Sequence, residues 1–397
     1  MSRNAGPGER ATASRDNAEY HSNGWLELEM GLQATLIRGY PHRQQRLPVD
    51  FSAVNGDWLT GLLQLKYPGL VVEDASLVEF VSGHSSKARM ALKLNSVGRE
   101  AGVPEYVCLK SNWSGNPMSS GANLAEARFY GNFASRLPTL TPKCFFADWD
   151  DDDEGQQGLI VLEDLKRRHA EFRNSKIPLT VDQMARSLKL LAQLHGSTWD
   201  SQQLAQQQWL QVAMAPETTV DDYWTLMGDH FPIHNRLPER LAIFPKWLAE
   251  NPERLRTGFR QLSAEEMASA RPRCLIHGDS HLGNTCGLPD GSRLWFDWQI
   301  VRRGRPWRDY SYFVAGSLSV EDRRRFEREL MRIYCEAMAS QGVKLDFNEA
   351  FDEYRRWIFW GLWAWQSNMN PIETTMEPLE RFCIAARDLE THSFFKF

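Results

Sequence analysis

The sequence predicts an α+β chain in two lobes: a small, mostly antiparallel sheet with one helix, then a larger, mostly helical lobe. Three observations predict it. Between Ser76 and Leu165, short runs rich in β-branched, aromatic and other apolar residues are separated by turn-forming stretches. After Leu165 the apolar residues recur at helical spacing. Within that helical half, CLIHGDSHLGNTCGLPDGSRLWFDWQ (274–299) gathers histidines, aspartates and an asparagine between apolar runs. Polar groups packed in that way must be solvated, paired or used.

Taken in order, residues 1–50 read as an N-terminal extension. Its first 24 residues have a disordered composition, and Gly24 to Arg38 suits a helix. Asn55-Gly56-Asp57 is a start signal for a helix over WLTGLLQLKY. SLVEFVSG, a turn at GHSS and KARMALKLNS predict a hairpin, and PEYVCLKSN (104–112) a third strand. A helix follows over NLAEARFYGNFASRL (123–137). KCFFADWD and QGLIVLEDL form a further strand pair, joined by the acidic turn DDDDEGQQG, most simply a solvated loop tip. The sheet lobe thus spans 51–165 and the helical lobe 166–397. In the latter, VDQMARSLKLLAQLHGSTW sets Met184, Leu188, Leu191 and His195 on one face. Further helices are expected over 221–230, 238–250, 264–270, 320–341, 348–366 and from Leu379 onward. LWFDW is expected to be an apolar strand holding Asp297 at the floor of a cleft between the lobes.

Composition narrows the function classes. The chain has 397 residues, 42% hydrophobic and 24% charged, as globular proteins do. A net charge of −5 with no basic block argues against nucleic acid as a partner. The most apolar helix candidate, WIFWGLWAW (357–365), is too short to span a bilayer, and Met1 to Tyr20 lacks the apolar core of a secretory signal. Six scattered cysteines with no CxxC pair fit free thiols in a cytoplasmic protein rather than a zinc site.

The polar stretch has the parts of a phosphoryl-transfer site. Carboxylates from a loop and a neighbouring strand, with an Asn carbonyl beside them, are hard oxygen ligands suited to Mg²⁺. Asn284 and Asp297 would hold the metal. Asp279 would then be free to face a substrate hydroxyl, orient it and accept its proton.

HGDSHLGN followed by FDW resembles the catalytic signature of the aminoglycoside phosphotransferase and choline kinase-like superfamily, and looks closer to its ecdysteroid kinase-like and uncharacterised branches than to the antibiotic kinases. The resemblance implies a protein-kinase-like two-lobed fold, ATP and Mg²⁺ as cofactors, and a small-molecule alcohol as acceptor. It implies Asp279 as the catalytic aspartate, His277 as a brace of the loop and His281 near the phosphates or the loop backbone. YVCLKS offers Lys110 as the phosphate lysine, and EARFY offers Glu126 as its partner. VLEDL resembles the hinge between lobes, where backbone groups near Glu163 to Leu165 would bind adenine. GRPWRDYSYF supplies Asp309 as an anchor for the catalytic loop. A protein-kinase GxGxxG loop is missing, so Ser85 and Ser86 of GHSS are left to cover phosphates.

Plainer readings stand beside these. The carboxylates could form a structural network in a pseudokinase that binds nucleotide without turnover. Lys93 rivals Lys110. His195 reads as a satisfied core histidine. Ser280 of GDS is a poor hydrolase nucleophile, because it lies late in the chain and the downstream pair is DxxxH. A metallophosphoesterase would need an upstream DxH and further histidines. For the acceptor, Trp357, Trp360 and Trp363 lie on a helix that is apolar almost all round, so burial is the first reading and an acceptor wall the sharper one. With no carboxylate cluster nearby, the acceptor reads as neutral and partly apolar: a sterol-like, polyketide or macrolide alcohol. The alternative is a choline- or aminoglycoside-type cation held by tryptophans.

Overall fold

The computed structural model describes residues 43, 45–83, 85–116, 119–152, 155–213, 236–367 and 373–397. The helices expected over 24–38 and 221–230 lie outside them, as do most of the N-terminal extension and His84 of the GHSS turn.

The sheet lobe opens with helix α1 (Gly56–Gln64), capped by the Asn55 side chain, which accepts from Trp58 N at 2.9 Å. Strands β1 (Val72–Val81), β2 (Ser86–Leu94), β3 (Tyr106–Ser111), β4 (Cys144–Asp152) and β5 (Gly155–Glu163) follow. They form one antiparallel five-stranded sheet in the order β1-β2-β3-β5-β4. The β2 positions alternate between buried and part-exposed, the period expected of a strand with one face on a core. Much of the acidic run lies within β4, not in a loop. There Asp148 and Asp150 bind the Arg43 guanidinium, and Asp150 also accepts from Leu47 N at 2.7 Å, tying the incoming chain to the sheet.

Helix α2 (Ser120–Asn132) crosses β4 and β5. At Gly158 a Cβ would meet Asn123 O at 2.2 Å, so only glycine permits this close approach of helix and strand. The apolar face of α2 buries Phe129 and Tyr130 in the core it shares with the helical lobe.

The helical lobe is built on α3 (Val181–Ser197), α4 (Glu253–Ala268), α5 (Trp307–Ser317), α6 (Val320–Ala339), α7 (Phe347–Gln366) and α8 (Glu373–Asp388). A capping box of Thr180 and Gln183 starts α3, and Asp346 caps α7 through Asn348 N and Glu349 N. Two expectations change. The helix placed at 264–270 begins at Glu253, because Leu255, Phe259 and Leu262 form a buried stripe beneath a charged face. The helix placed at 238–250 is two short turns, Pro238–Ile243 and Lys246–Glu250, separated at Phe244 and Pro245. Between α4 and α5 the chain leaves the helical pattern for short strands. Cys274–Ile276 pairs with Arg302–Gly304, and Thr285–Gly287 pairs with both Arg293–Trp295 and Glu171–Phe172. Among the described residues no helix is long and apolar enough to cross a membrane.

Candidate active site

The HGD loop leaves the strand Cys274–Ile276 and turns at Gly278, which has φ +84° and where a Cβ would meet Ile300 O at 2.1 Å. Asp309, at the start of α5, fixes this turn. Its carboxylate accepts from His277 N at 2.6 Å and from Gly278 N at 2.9 Å. Burial pushes this carboxyl up, but the bond to His195, the neighbouring imidazoles and Gly278 N–H more than offset it, so its pKa is lowered and it stays ionised. Ser280 Oγ donates to Asp309 O at 3.0 Å, and Arg308 Nε donates to Gly278 O at 2.9 Å. His195 is buried in the core and also reaches the loop: its Nε2 lies 3.3 Å from Asp309 and its Nδ1 2.8 Å from Tyr334 Oη.

His277 joins the two halves of the polar stretch. Its Nε2 pairs with Phe296 O at 3.0 Å, and its Nδ1 accepts from Asp279 N at 3.2 Å. These partners require the neutral ring with its proton on Nε2. Burial supplies the reason, lowering the imidazole pKa against the pull of Asp309 and Asp279. Asn284 Nδ2 donates to Asp279 O at 2.9 Å and to Asp279 Oδ2 at 3.0 Å. Asn284 O accepts from Phe296 N at 3.0 Å, next to Asp297. Positions 279, 284 and 297 are therefore cross-linked into one region. His281 caps the 3₁₀ turn Leu282–Asn284 by accepting from Gly283 N, and its Nε2 lies 3.7 Å from Asp279 Oδ2.

Asp297 is not on a strand. The strand ends at Trp295, and Asp297 adopts a left-handed backbone, φ 66°, that turns its side chain across the cleft. There it meets the sheet lobe: Lys110 Nζ lies 2.7 Å from Asp297 Oδ1 and 2.6 Å from Glu126 Oε2. Burial acts to lower the Lys110 pKa, but the two carboxylates raise it, so the ammonium stays charged. Burial acts to raise the Asp297 pKa, but Lys110 and Lys87 bring it below the usual carboxylate range. The Glu126 helix is docked to the same segment. Glu126 Oε1 accepts from Trp298 N at 3.1 Å, and Phe129 stacks on Trp298 with centroids 3.9 Å apart. Lys93 points elsewhere, 73% exposed and paired with Glu73.

The space between the lobes is walled by Val81, Cys108 and Leu162 from the sheet, Leu165 from the linker, and Phe172 and Phe296 from below. The Glu163 carboxylate is engaged by Lys143 N at 2.8 Å and by Arg168, its own N–H donates to Lys143 O at 2.9 Å, and the residue lines the cleft. The serines differ from expectation. Ser85 Oγ accepts from Gln299, and Ser86 is fully buried opposite Ser111, so the hairpin presents Lys87 to the cleft instead. Lys87 Nζ lies 3.8 Å from Asp297 Oδ2, and sequence reasoning missed it because any strand-end lysine reads as solvated.

The tryptophan assignment also shifts. Trp357 is fully buried in the core, and Trp363 is buried against Phe259 with centroids 4.3 Å apart. Trp360 lies behind the loop, with the Arg308 guanidinium 3.7 Å from its ring centroid. Among the described residues, the rings beside His281 are Trp365 and Tyr312, at 5.5 Å and 6.1 Å from its own ring, while Trp298 packs on His277 at 4.5 Å. Trp365 is not among the tryptophans that the sequence offers as an acceptor wall.

The family model for ecdysteroid kinase-like proteins matches residues 127–347, more than half of the chain. This chain belongs to the ecdysteroid kinase-like family. The matched span holds the HGD loop, Asn284, Asp297 and Asp309 of this ecdysteroid kinase-like chain, and begins one residue after Glu126. No curated protein matches the sequence. Solved structures of similar shape include choline kinase LicA from Streptococcus pneumoniae, with 14% identity, 81% of this chain and 94% of that one covered, and a TM-score of 0.47. A spectinomycin phosphotransferase in complex with ADP and spectinomycin is 15% identical over 85% of this chain and 99% of its own, TM-score 0.46. An aminoglycoside phosphotransferase from Streptomyces rimosus is 15% identical over 82% of this chain and 97% of its own, TM-score 0.37. The kinase-like two-lobed α+β fold expected from the sequence is the fold of this protein.

Proposed function

We propose that this protein is an ATP- and Mg²⁺-dependent phosphotransferase that moves the γ-phosphoryl group to a hydroxyl of a small, neutral, partly apolar molecule. The observation that carries the reading is the meeting of Asp279 and Asn284, on one loop, with the Lys110–Glu126–Asp297 ion cluster across the cleft. Adenine would lie between the apolar walls at Leu162, Leu165 and Phe296, with its edge toward the backbone of Glu163 to Leu165. Lys110 and Lys87 would hold the phosphates.

The donor set fits Mg²⁺. The Asn284 amide nitrogen is committed to Asp279, which leaves its oxygen as the ligand, and Asp297 offers an ionised carboxylate. When bound, the metal supplies charge neutralisation for the transferring phosphoryl group. Asp279 Oδ2 is held by Asn284, so the carboxylate is fixed in place to orient the alcohol and take its proton.

The groups around Asp279 favour a neutral acceptor. They are the rings of His281, Tyr312 and Trp365, with the buried Arg308 cation behind the loop. Among the described residues, a cationic acceptor would face that like charge with Asp279 as its carboxylate partner, because Asp297, the other carboxylate of the cleft, is already paired with Lys110 and Lys87. Incubating the protein with ATP, Mg²⁺ and a library of alcohols, and reading phosphorylated products by mass, tests this. Sterol-like, polyketide or macrolide alcohols should be phosphorylated in preference to choline and aminoglycosides. Preferential phosphorylation of the cations would overturn the acceptor class, and tight nucleotide binding with no product from any alcohol would favour the pseudokinase.

A further inference from the structure

A second cavity, of about 590 Å³, lies behind the nucleotide cleft and shares Pro142 and Glu163 with its wall. It opens between the end of α2, the following turn and β4, and the proposed reaction has no use for it. Its lining is basic. Lys66 and Lys143 both face it, and neither ammonium has an ion-pair partner among the described residues. Each rests only on an aromatic ring, Lys66 at 5.4 Å from the Tyr67 centroid and Lys143 at 4.9 Å from that of Phe145. Arg168 also lines it, but its guanidinium is taken up by Glu163 at 3.0 Å. A lone exposed lysine snorkelling to water would need no explanation. Lys66 is different: it is half-buried, and burial lowers its pKa, with the Lys143 charge adding to it and Cys144 opposing it.

A second observation is independent of charge. Tyr130, on α2, lines the same cavity and is 4% exposed, and its hydroxyl is buried with no hydrogen-bond partner. A buried hydroxyl without a partner is costly unless something else satisfies it.

We propose that this cavity is a second ligand site, which takes a small molecule bearing a phosphate group between Lys66 and Lys143, with a polar atom placed to bond the Tyr130 hydroxyl. A phosphate dianion matches two unpaired ammoniums in charge. Tyr130 is one helical turn beyond Glu126, and Glu163 belongs to both cavities, so an occupant touches the helix and the strand end that build the nucleotide cleft. The site therefore links a phosphorylated metabolite to nucleotide affinity.

The test is a calorimetric titration of the full chain with inorganic phosphate, with chloride at matched ionic strength as the control. Phosphate should bind saturably to the wild type. The Lys66→Ala/Lys143→Ala double variant should weaken that binding about tenfold. Lys143→Glu, a charge reversal at an exposed position, should weaken it comparably. Tyr130→Phe should cost a smaller factor. Lys110→Ala, which alters the nucleotide cleft instead, should leave this binding event in place. Phosphate affinity unchanged in both lysine variants, loss confined to Lys110→Ala, or an equal response to chloride would each overturn the proposal.

Discussion

The two sides of the cleft are built on opposite principles. On the helical side, the groups that shape the HGD loop are satisfied: Asp309 takes up two backbone N–H groups, His277 bridges Asp279 N and Phe296 O, and Arg308 holds Gly278 O. On the sheet side, a single buried ammonium is shared by two carboxylates, and a second lysine waits at 3.8 Å. The first arrangement is a fixed frame that leaves Asp279 at its edge. The second is a charge cluster that can exchange partners, because Asp297 must trade Lys110 for another cation if it is to serve a metal. Under the proposed function, rigidity belongs to the side that would position the alcohol, and exchangeable charge to the side that would receive the triphosphate.

That contrast can be broken by removing the key group from each side. Asp309→Ala strips the loop of its anchor and leaves two buried N–H groups and His195 Nε2 unpaired. It should cost about 3–5 kcal/mol of folding stability, measured by urea unfolding. A loss near zero would mean that the loop does not depend on this carboxylate. Lys110→Ala should behave differently. Glu126 and Asp297 lose their shared cation, but one can take up a proton, so the stability loss should be the smaller of the two. Nucleotide affinity should fall about tenfold. Equal stability losses in the two variants would erase the distinction.

The acceptor side offers a finer cut. Trp357→Ala removes a ring that is fully buried in the core and should destabilise by about 3–5 kcal/mol without changing which alcohols are used. Trp365→Ala should unfold the protein less and raise the acceptor KM about tenfold. Identical effects from the two would remove Trp365 from the acceptor wall.

The smallest effect is one of pH. His277 has its folded-state pKa lowered from the ordinary 6.5, so the unfolded chain binds its proton first. The stability it contributes is present above about pH 6.5 and is lost as pH falls below that value toward the lowered folded pKa. Asp309, also lowered, loses its share only in stronger acid, below its ordinary 3.8. Urea midpoints between neutral and mildly acidic pH should fall in the wild type and flatten in His277→Phe. A midpoint that rises on acidification would contradict the assigned ring state.

What could be read from the sequence follows from distance along the chain. The sheet-then-helix order was legible because each element carries its own period and caps, as at Asn55 and Thr180. The Asp279–Asn284 pairing was legible because five residues of one loop carry it. Contacts between distant segments were not. Nothing local says that Phe129 will stack on Trp298, that Lys87 will face Asp297, or that Asp297 will leave its strand for a left-handed turn. The helix from Glu253 was missed because its arginines and glutamates outnumber its buried Leu255, Phe259 and Leu262. Among the tryptophans, periodicity showed that the helix is buried but could not say which ring meets the loop.

The most direct test of the central claim is a paired measurement on Asp279→Asn: nucleotide affinity by titration, and single-turnover transfer of phosphoryl to an accepted alcohol. If Asp279 orients and deprotonates the hydroxyl, affinity should stay within about twofold of the wild type while transfer slows by about 10³-fold or more. Transfer at the wild-type rate with the asparagine in place would contradict the account.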